Sequence, residues 1–533
     1  MSNRSRDREA RVPPLAHVIS LTRRTTATLW AVIIAFDLGS LWFFESHGLS
    51  NLYGDGIAHV EGARRLFDSL TPGYAEIGSV WLPLQHLLAA PLAINDTLWR
   101  TGLAGSLISV AAFALTAWFL LRLSLEMNRS LPAACVTLAF FLISLNMLYA
   151  ASTPLTEPLA IFWAVLVVYP LFRFQQSGRT STCVWAAIAA FFGTLTRYDG
   201  WYLLPFAALF VFFCCRRDWK TRIGQTLVFC LISGTGPILW FLHNAYRYHN
   251  PLQFYNGPYS AQAIYAHQIA TTGFHYPTDG SLWLSAHYYL EDIKLVFGPW
   301  TLTFAALGVV AWILDRRLRG RRSATLLLLV PLVFYTQSMA YGSVAIYVPT
   351  LSPHTYYNLR YGLEMAPAMA LFPGFLLPQQ RSRLKGAVIP GILCAILLLQ
   401  AIAMAWPGVR GIALVEESVL NTPCKTEAEQ DVIQFFRQHY DGQPLLLESG
   451  EWPCLMPDVG IPYRKTLGPR NRKYWRQLRF GASRWVGWIV WMRGDAVDNL
   501  MRAYPQAFSD FDLVAKESLP HHEELEIYRR RSP

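Results

Sequence analysis

The sequence predicts a polytopic α-helical membrane protein of about eleven transmembrane helices with a small extracytoplasmic α/β domain at its C-terminus. Three observations predict it. Apolar runs of roughly 20 residues, the length that crosses a hydrocarbon core, recur from Ala27 to Trp406. Of the 533 residues, 53% are hydrophobic and only 15% charged, and the mean hydropathy is +0.25; soluble domains carry about a quarter charged residues. The basic residues, which give a net charge of +11, fall in short clusters between the apolar runs. That is how topology signals are placed, and it excludes the single basic patch with interleaved aromatics of a nucleic-acid partner.

The first run, Ala27–Phe44, follows Arg4, Arg6, Arg8, Arg11, Arg23 and Arg24. It is long and has no small-residue cleavage site, so it reads as a span with a cytoplasmic N-terminus and not as a signal peptide. Further spans are predicted at Gly102–Leu121, Leu131–Tyr149, Pro158–Phe174, Thr182–Leu195, Trp201–Cys215, Gly224–His243, Phe297–Leu314, Ala324–Ala340, Tyr361–Leu377 and Gly386–Trp406. Every second connection carries the positive charge: Arg122 and Arg129; Arg173 and Arg179; Arg216, Arg217, Lys220 and Arg222; Arg316, Arg317, Arg319, Arg321 and Arg322; Arg381, Arg383 and Lys385. All agree with one orientation, which leaves the C-terminus outside.

The outward side holds the unusual residues. The first loop, Glu45–Arg100, contains a helical pattern at Gly56–Leu70 and an apolar segment, Val80–Ile94, too short to span and expected along the interface. Arg247–Lys294 is a second outer stretch rich in Tyr, His and Asn. The domains divide at 1–406 and 407–533. In the latter, Glu427–His439 and Asp495–Tyr504 read as helices, and Pro444–Leu447, Trp485–Trp491 and Phe511–Ala515 as strands. Its tryptophans suit a packed core or sugar stacking. Six cysteines lie in or beside apolar runs; Cys424 and Cys454 do not, and outside the cytoplasm they could pair.

Four polar clusters fall on the predicted outer face. In Tyr53-Gly54-Asp55-Gly56, Asp55 fits a general base, which must reach an acceptor hydroxyl; it also fits the N-cap of the adjoining helix. His59, one turn on, shares its face and fits either a divalent-metal site with Asp55 or an ordinary interfacial histidine. Arg64 and Arg65 suit phosphate oxygens or lipid headgroups. Thr156-Glu157-Pro158 starts a helix, with Thr156 as cap and Glu157 as a candidate site residue. In Arg197-Tyr198-Asp199-Gly200, charges this close to a bilayer should pair or line a polar cavity: Arg197 holds Asp199, or it holds a substrate phosphate. Arg360 and Tyr361, in Asn358-Leu359-Arg360-Tyr361, fit a second anion clamp or an interfacial anchor.

In this order the features resemble the GT-C superfamily of membrane glycosyltransferases, in particular the protein O-mannosyltransferases and lipid A aminoarabinose transferases. The resemblance covers most of 27–406. It implies inverting transfer from a polyprenyl-phosphate sugar to a lipid, glycan or protein hydroxyl, with Asp55 as base. Arg197 or Arg360 would stabilise the departing lipid phosphate, and the implied location is the bacterial inner membrane, facing outward. Many relatives carry an Asp-Glu pair in the first loop; here Gly56 follows Asp55, which leaves a divalent metal and the acceptor open. The rival classes are a transporter or flippase of lipid-linked sugars, a glycan polymerase or ligase, and a noncatalytic sensor. A transporter would show repeated halves, which this sequence lacks.

Overall fold

The structure is a computed structural model that describes residues 20–215, 218–315, 323–377, 383–406, 408–518 and 524–531. Arg4, Arg6, Arg8, Arg11, Arg216, Arg217, Arg316, Arg317, Arg319, Arg321, Arg322 and Arg381 lie outside them. By contacts the chain divides into two compact units. One comprises 1–43, 109–152 and 156–417, the other 44–108, 153–155 and 418–533.

The first unit is a helical membrane body. Arg23–Ser46, Leu103–Asn128, Glu157–Ser177, Trp219–Tyr248 and Ser323–Tyr341 are each long and apolar enough to cross a bilayer. Two bent pairs join them: Leu131–Leu142 with Leu145–Ala151, bent by 67°, and Leu282–Phe297 with Pro299–Leu314, bent by 112°. Thr180–Thr194, Tyr198–Cys214 and Val388–Met404 are shorter apolar helices. The chain is therefore an integral membrane protein.

The sharper bend has a local cause. Gly298 takes φ +82, and a Cβ there would meet the Gln400 carboxamide at 2.4 Å, so only glycine fits. Pro299 then removes an N–H where the next helix begins. Leu282–Phe297 is thus a full helix lying mostly in Arg247–Lys294, the stretch read from sequence as an outer loop. The span at 361–377 is broken differently, into Leu359–Met365 and Phe372–Leu376 in the tighter 3₁₀ geometry around the α-turns Ala366–Leu371. Pro367 and Pro373 each forfeit a helical hydrogen bond there.

The second unit joins residues 44–108 to the C-terminal region. Its five-stranded sheet has order β2-β1-β3-β5-β4, from β1 (Leu445–Leu446), β2 (Thr466–Leu467), β3 (Trp488–Met492), β4 (Phe511–Ser518) and β5 (Glu524–Arg530). β1 is parallel to β2 and β3, while β5 is antiparallel to both β3 and β4. Side chains alternate across the sheet. Leu445, Leu447, Trp488, Val490, Leu525 and Ile527 face one core, with Ile57, Val60 and Ala63 of the helix Gly54–Arg65 packed into it. Leu446, Ile489 and Trp491 face the other, with Val497, Phe508 and Phe511.

Burying Ile57 or Val60 contributes about 1.5–3 kcal/mol each, so the first loop and the C-terminal sheet share one hydrophobic core. This grouping cuts across the sequence division at 406. Short β2 and the terminal β5 were missed in sequence: two residues give no period, and β5 interleaves Glu524, Glu526 and Arg529 with its apolar positions. Trp488 and Trp491 are core residues. Cys424 and Cys454 form a disulfide with Cα atoms 5.5 Å apart.

Candidate active site

Asp55 lies in the first turn of the helix Gly54–Arg65, and Tyr53 holds the N-cap position. The N-cap alternative for Asp55 is therefore corrected by two positions: Asp55 is the second helical residue, near the helix's positive end without being the cap. It is partly exposed, while Gly56, Ile57 and nine-tenths or more of His59 are buried.

His59 is buried within its own unit. Its Nδ1 lies 3.0 Å from Nε2 of His86, and its ring packs 4.8 Å from Trp81. Burial, then the charges of His59, Arg65 and Arg470, hold His86 well below the ordinary imidazole range, so it is neutral at physiological pH. The segment Val80–Ile94 supplies this partner: its helix Leu84–Ala89 buries Gln85 and His86 completely while Leu87 and Leu88 stay exposed. Among the described residues no group of three or more His, Cys, Asp or Glu could hold a metal ion.

Arg64 and Arg65 diverge, because adjacent helical residues point about 100° apart. Arg64 donates Nε to Asp68 at 2.8 Å and Nη1 to the carbonyls of Ala93 and Ile94, and its Nη2 pairs with Asp96 at 2.8 Å. Asp68 also holds Arg464 from the C-terminal region at 2.8 Å. Arg65 pairs with Glu61 and stands 5.1 Å over the Tyr463 ring. Both arginines are 6% exposed and bind protein groups of their own unit.

In the membrane unit, the structure brings Glu157, Arg197, Asp199, Arg360 and Tyr361 together. Arg197 donates Nη1 to Glu157 at 2.8 Å and to the Thr156 hydroxyl at 3.0 Å, Nε to Asp199 at 3.2 Å, and Nη2 to the Tyr335 hydroxyl at 3.1 Å. Glu157 is shared, since Arg360 reaches the same oxygen at 3.3 Å. Thr156 occupies the N-cap position but makes no side-chain capping bond, its hydroxyl being taken by Arg197. Both guanidinium groups lie 5.3 Å over the Tyr361 ring. The Arg197–Asp199 contact expected as one alternative is present, within a larger network.

Glu364 and Tyr335 belong to this network and were missed in sequence. Glu364 is 3.5 Å from Arg197 Nε and 6% exposed. An acid inside an apolar span is itself a signal, and Glu364 stands four residues after Arg360. Glu417 sets the backbone of the same turn, accepting the N–H of Asn358 at 2.6 Å and of Leu359 at 3.0 Å. Asn358, at φ +57, takes the left-handed conformation that asparagine tolerates. Three carboxylates thus face two guanidinium groups, all largely removed from water.

With this geometry in hand, the comparisons with known proteins concern the fold. No family model and no curated protein sequence matches the chain. Solved structures do. The crystal structure of ArnT from Cupriavidus metallidurans bound to undecaprenyl phosphate aligns with a TM-score of 0.56 at 14% identity, covering 94% of this chain and 97% of that one. The apo structure of the same protein aligns with a TM-score of 0.54 at 14% identity, covering 94% and 98%. The chain has the fold of ArnT. ArnT is a lipid A aminoarabinose transferase of the GT-C group, one of the two kinds of enzyme that the sequence resembles.

Proposed function

We propose that this protein is a glycosyltransferase that moves a sugar from a polyprenyl-phosphate donor to an acceptor hydroxyl at the outer membrane face. The observation that carries the reading is Asp55. It is a partly exposed residue on a largely buried helix in the first outer loop of a chain that shares its fold with ArnT over 94% of its length. ArnT in its ligand-bound form holds undecaprenyl phosphate, which supports the donor class.

In the proposed reaction Asp55 takes the proton of the acceptor hydroxyl as its oxygen attacks the anomeric carbon. The bond from that carbon to the phosphate oxygen breaks, and configuration inverts. The lipid phosphate leaves with the bonding electron pair, and Arg197 and Arg360 offset its charge. Since both arginines already hold carboxylates, the phosphate must replace one. Glu364, at 3.5 Å the longest of the Arg197 contacts, is the one to give way. His59 and Arg64 brace the Asp55 helix through His86, Asp68 and Asp96.

We place the N-terminus in the cytoplasm, eleven spans in the bacterial inner membrane, and the C-terminal region outside; the disulfide supports an oxidising compartment for it. The bent helix pairs also suit a transporter of the same lipid-linked sugar. One assay separates them: parent and Asp55→Asn proteins, purified and reconstituted, are given polyprenyl-phosphate sugars. The account expects sugar release by the parent and at least 100-fold less by the variant. Equal release would remove Asp55 as base. Donor movement across the vesicle with no release by either would establish the transporter.

A further inference from the structure

Asp55 stands between two glycines, and each glycine faces a proline of the same unit. A Cβ on Gly56 would lie 3.0 Å from the Pro154 ring, and one on Gly54 would lie 3.5 Å from the Pro423 ring. Gly56 therefore admits Pro154 closer than a side chain would allow, while Pro423 stands at ordinary contact distance on the Gly54 side. Pro154 is fixed by its own surroundings, for a Cβ at Gly105 would strike it at 2.5 Å.

Pro423 is anchored through its neighbour in the chain. Cys424 is disulfide-bonded to Cys454, 30 residues later. Cys454 is 2% exposed and lies in the core that also holds Ile57 and Val60 of the Asp55 helix. The covalent path thus runs from that core through Cys454 and Cys424 to Pro423, whose ring stands 3.5 Å from where a Cβ on Gly54, the neighbour of Asp55, would lie.

We propose that the Cys424–Cys454 disulfide is a positioning clip for Asp55, keeping Pro423 beside Gly54 so that the oxidised protein is the competent one. The inference rests on the reading of Asp55 as general base. A thiol reductant such as dithiothreitol opens the clip: it supplies two electrons and two protons, leaves two cysteine thiols and is itself oxidised to a disulfide.

Opening the clip leaves other ties between the same segments. The Cys454 N–H donates to Glu429 at 2.8 Å, and Thr426 caps the helix Glu427–His439 through the Glu429 N–H. The fold is therefore expected to persist while the Pro423 contact loosens, which makes this a positional effect.

The test uses the purified full chain as parent, Cys424→Ser/Cys454→Ser, Pro423→Ala and Asp55→Asn, assayed for sugar transfer from a polyprenyl-phosphate donor. The expected result is a tenfold or greater fall in kcat at unchanged donor KM for the double-serine variant, with most of its melting transition retained. Pro423→Ala should fall in the same direction with its disulfide intact by mass spectrometry. Dithiothreitol should lower the parent to the double-serine level and leave that variant unmoved. Parental kcat in the double-serine and Pro423→Ala proteins, beside an inactive Asp55→Asn, would overturn the clip while sparing the base assignment. A loss that merely tracks the folded fraction would overturn it equally. Full activity in Asp55→Asn would fail the underlying reading and the clip with it.

Discussion

Two arginine clusters, both read from sequence as possible anion grips, have different surroundings. Arg64 is matched to its site, with Asp68, Asp96 and the carbonyls of Ala93 and Ile94 taking its N–H groups. Arg197 and Arg360 instead share Glu157, with Asp199 and Glu364 also present, so acids outnumber guanidinium groups three to two. The first arrangement closes a fold. The second has a third acid, and on the proposed reading an arriving phosphate exchanges with it. Adjacency of basic residues in sequence does not distinguish these cases; the partners do.

Mutating each cluster in turn separates the two roles. Arg197→Ala is expected to lower kcat by about 10²–10³-fold, the loss typical of removing a donor that stabilises developing negative charge. Steady-state assays of the reconstituted variant check this, and parental kcat would make the two clusters equivalent. Arg64→Ala is expected to act on folding, costing about 3–5 kcal/mol because Asp68 is left buried with less compensation. Thermal unfolding of the purified protein measures it, and the folded fraction should keep parental kcat.

A subtler probe is pH. Burial pushes the Glu429 carboxyl up to about 8, well above its ordinary value of 4.5. A carboxyl raised on folding binds its proton more tightly in the native state, so its contribution is fully present below about 4.5 and lost as pH rises through 8. The melting temperature of the second unit should therefore fall across that window in the parent, and the fall should shrink in Glu429→Gln. A parallel pH profile in both proteins would remove Glu429 as its source. The smallest effect is expected from Glu364→Gln, which takes away the third acid: donor KM should drop a few-fold, and a rise would contradict the exchange of Glu364 for phosphate.

Legibility in the sequence followed period and length. Glu427–His439 is a helix with the bounds expected, because its apolar positions recur at helical spacing and Thr426 precedes it as a cap. The membrane helices were visible because lipid demands long apolar runs. What stayed hidden was long-range. Nothing local ties Ile57 to Trp488 or Arg64 to Ala93, so the union of the first loop with the C-terminal sheet could not be read. In the candidate site, Glu157, Arg197, Asp199, Arg360 and Tyr361 were each named and do converge, whereas Glu364 was overlooked inside its apolar span. The pairing of His59 with His86 was not legible, because the two lie 27 residues apart.

The decisive measurement is polyprenyl-phosphate binding to the purified parent, Arg64→Ala and Arg197→Ala proteins, titrated in detergent below the melting temperature of each. The account predicts parental affinity in folded Arg64→Ala and at least tenfold weaker binding in Arg197→Ala. Unchanged affinity in Arg197→Ala, or a loss confined to Arg64→Ala, would contradict it and move the phosphate to the first-loop arginines.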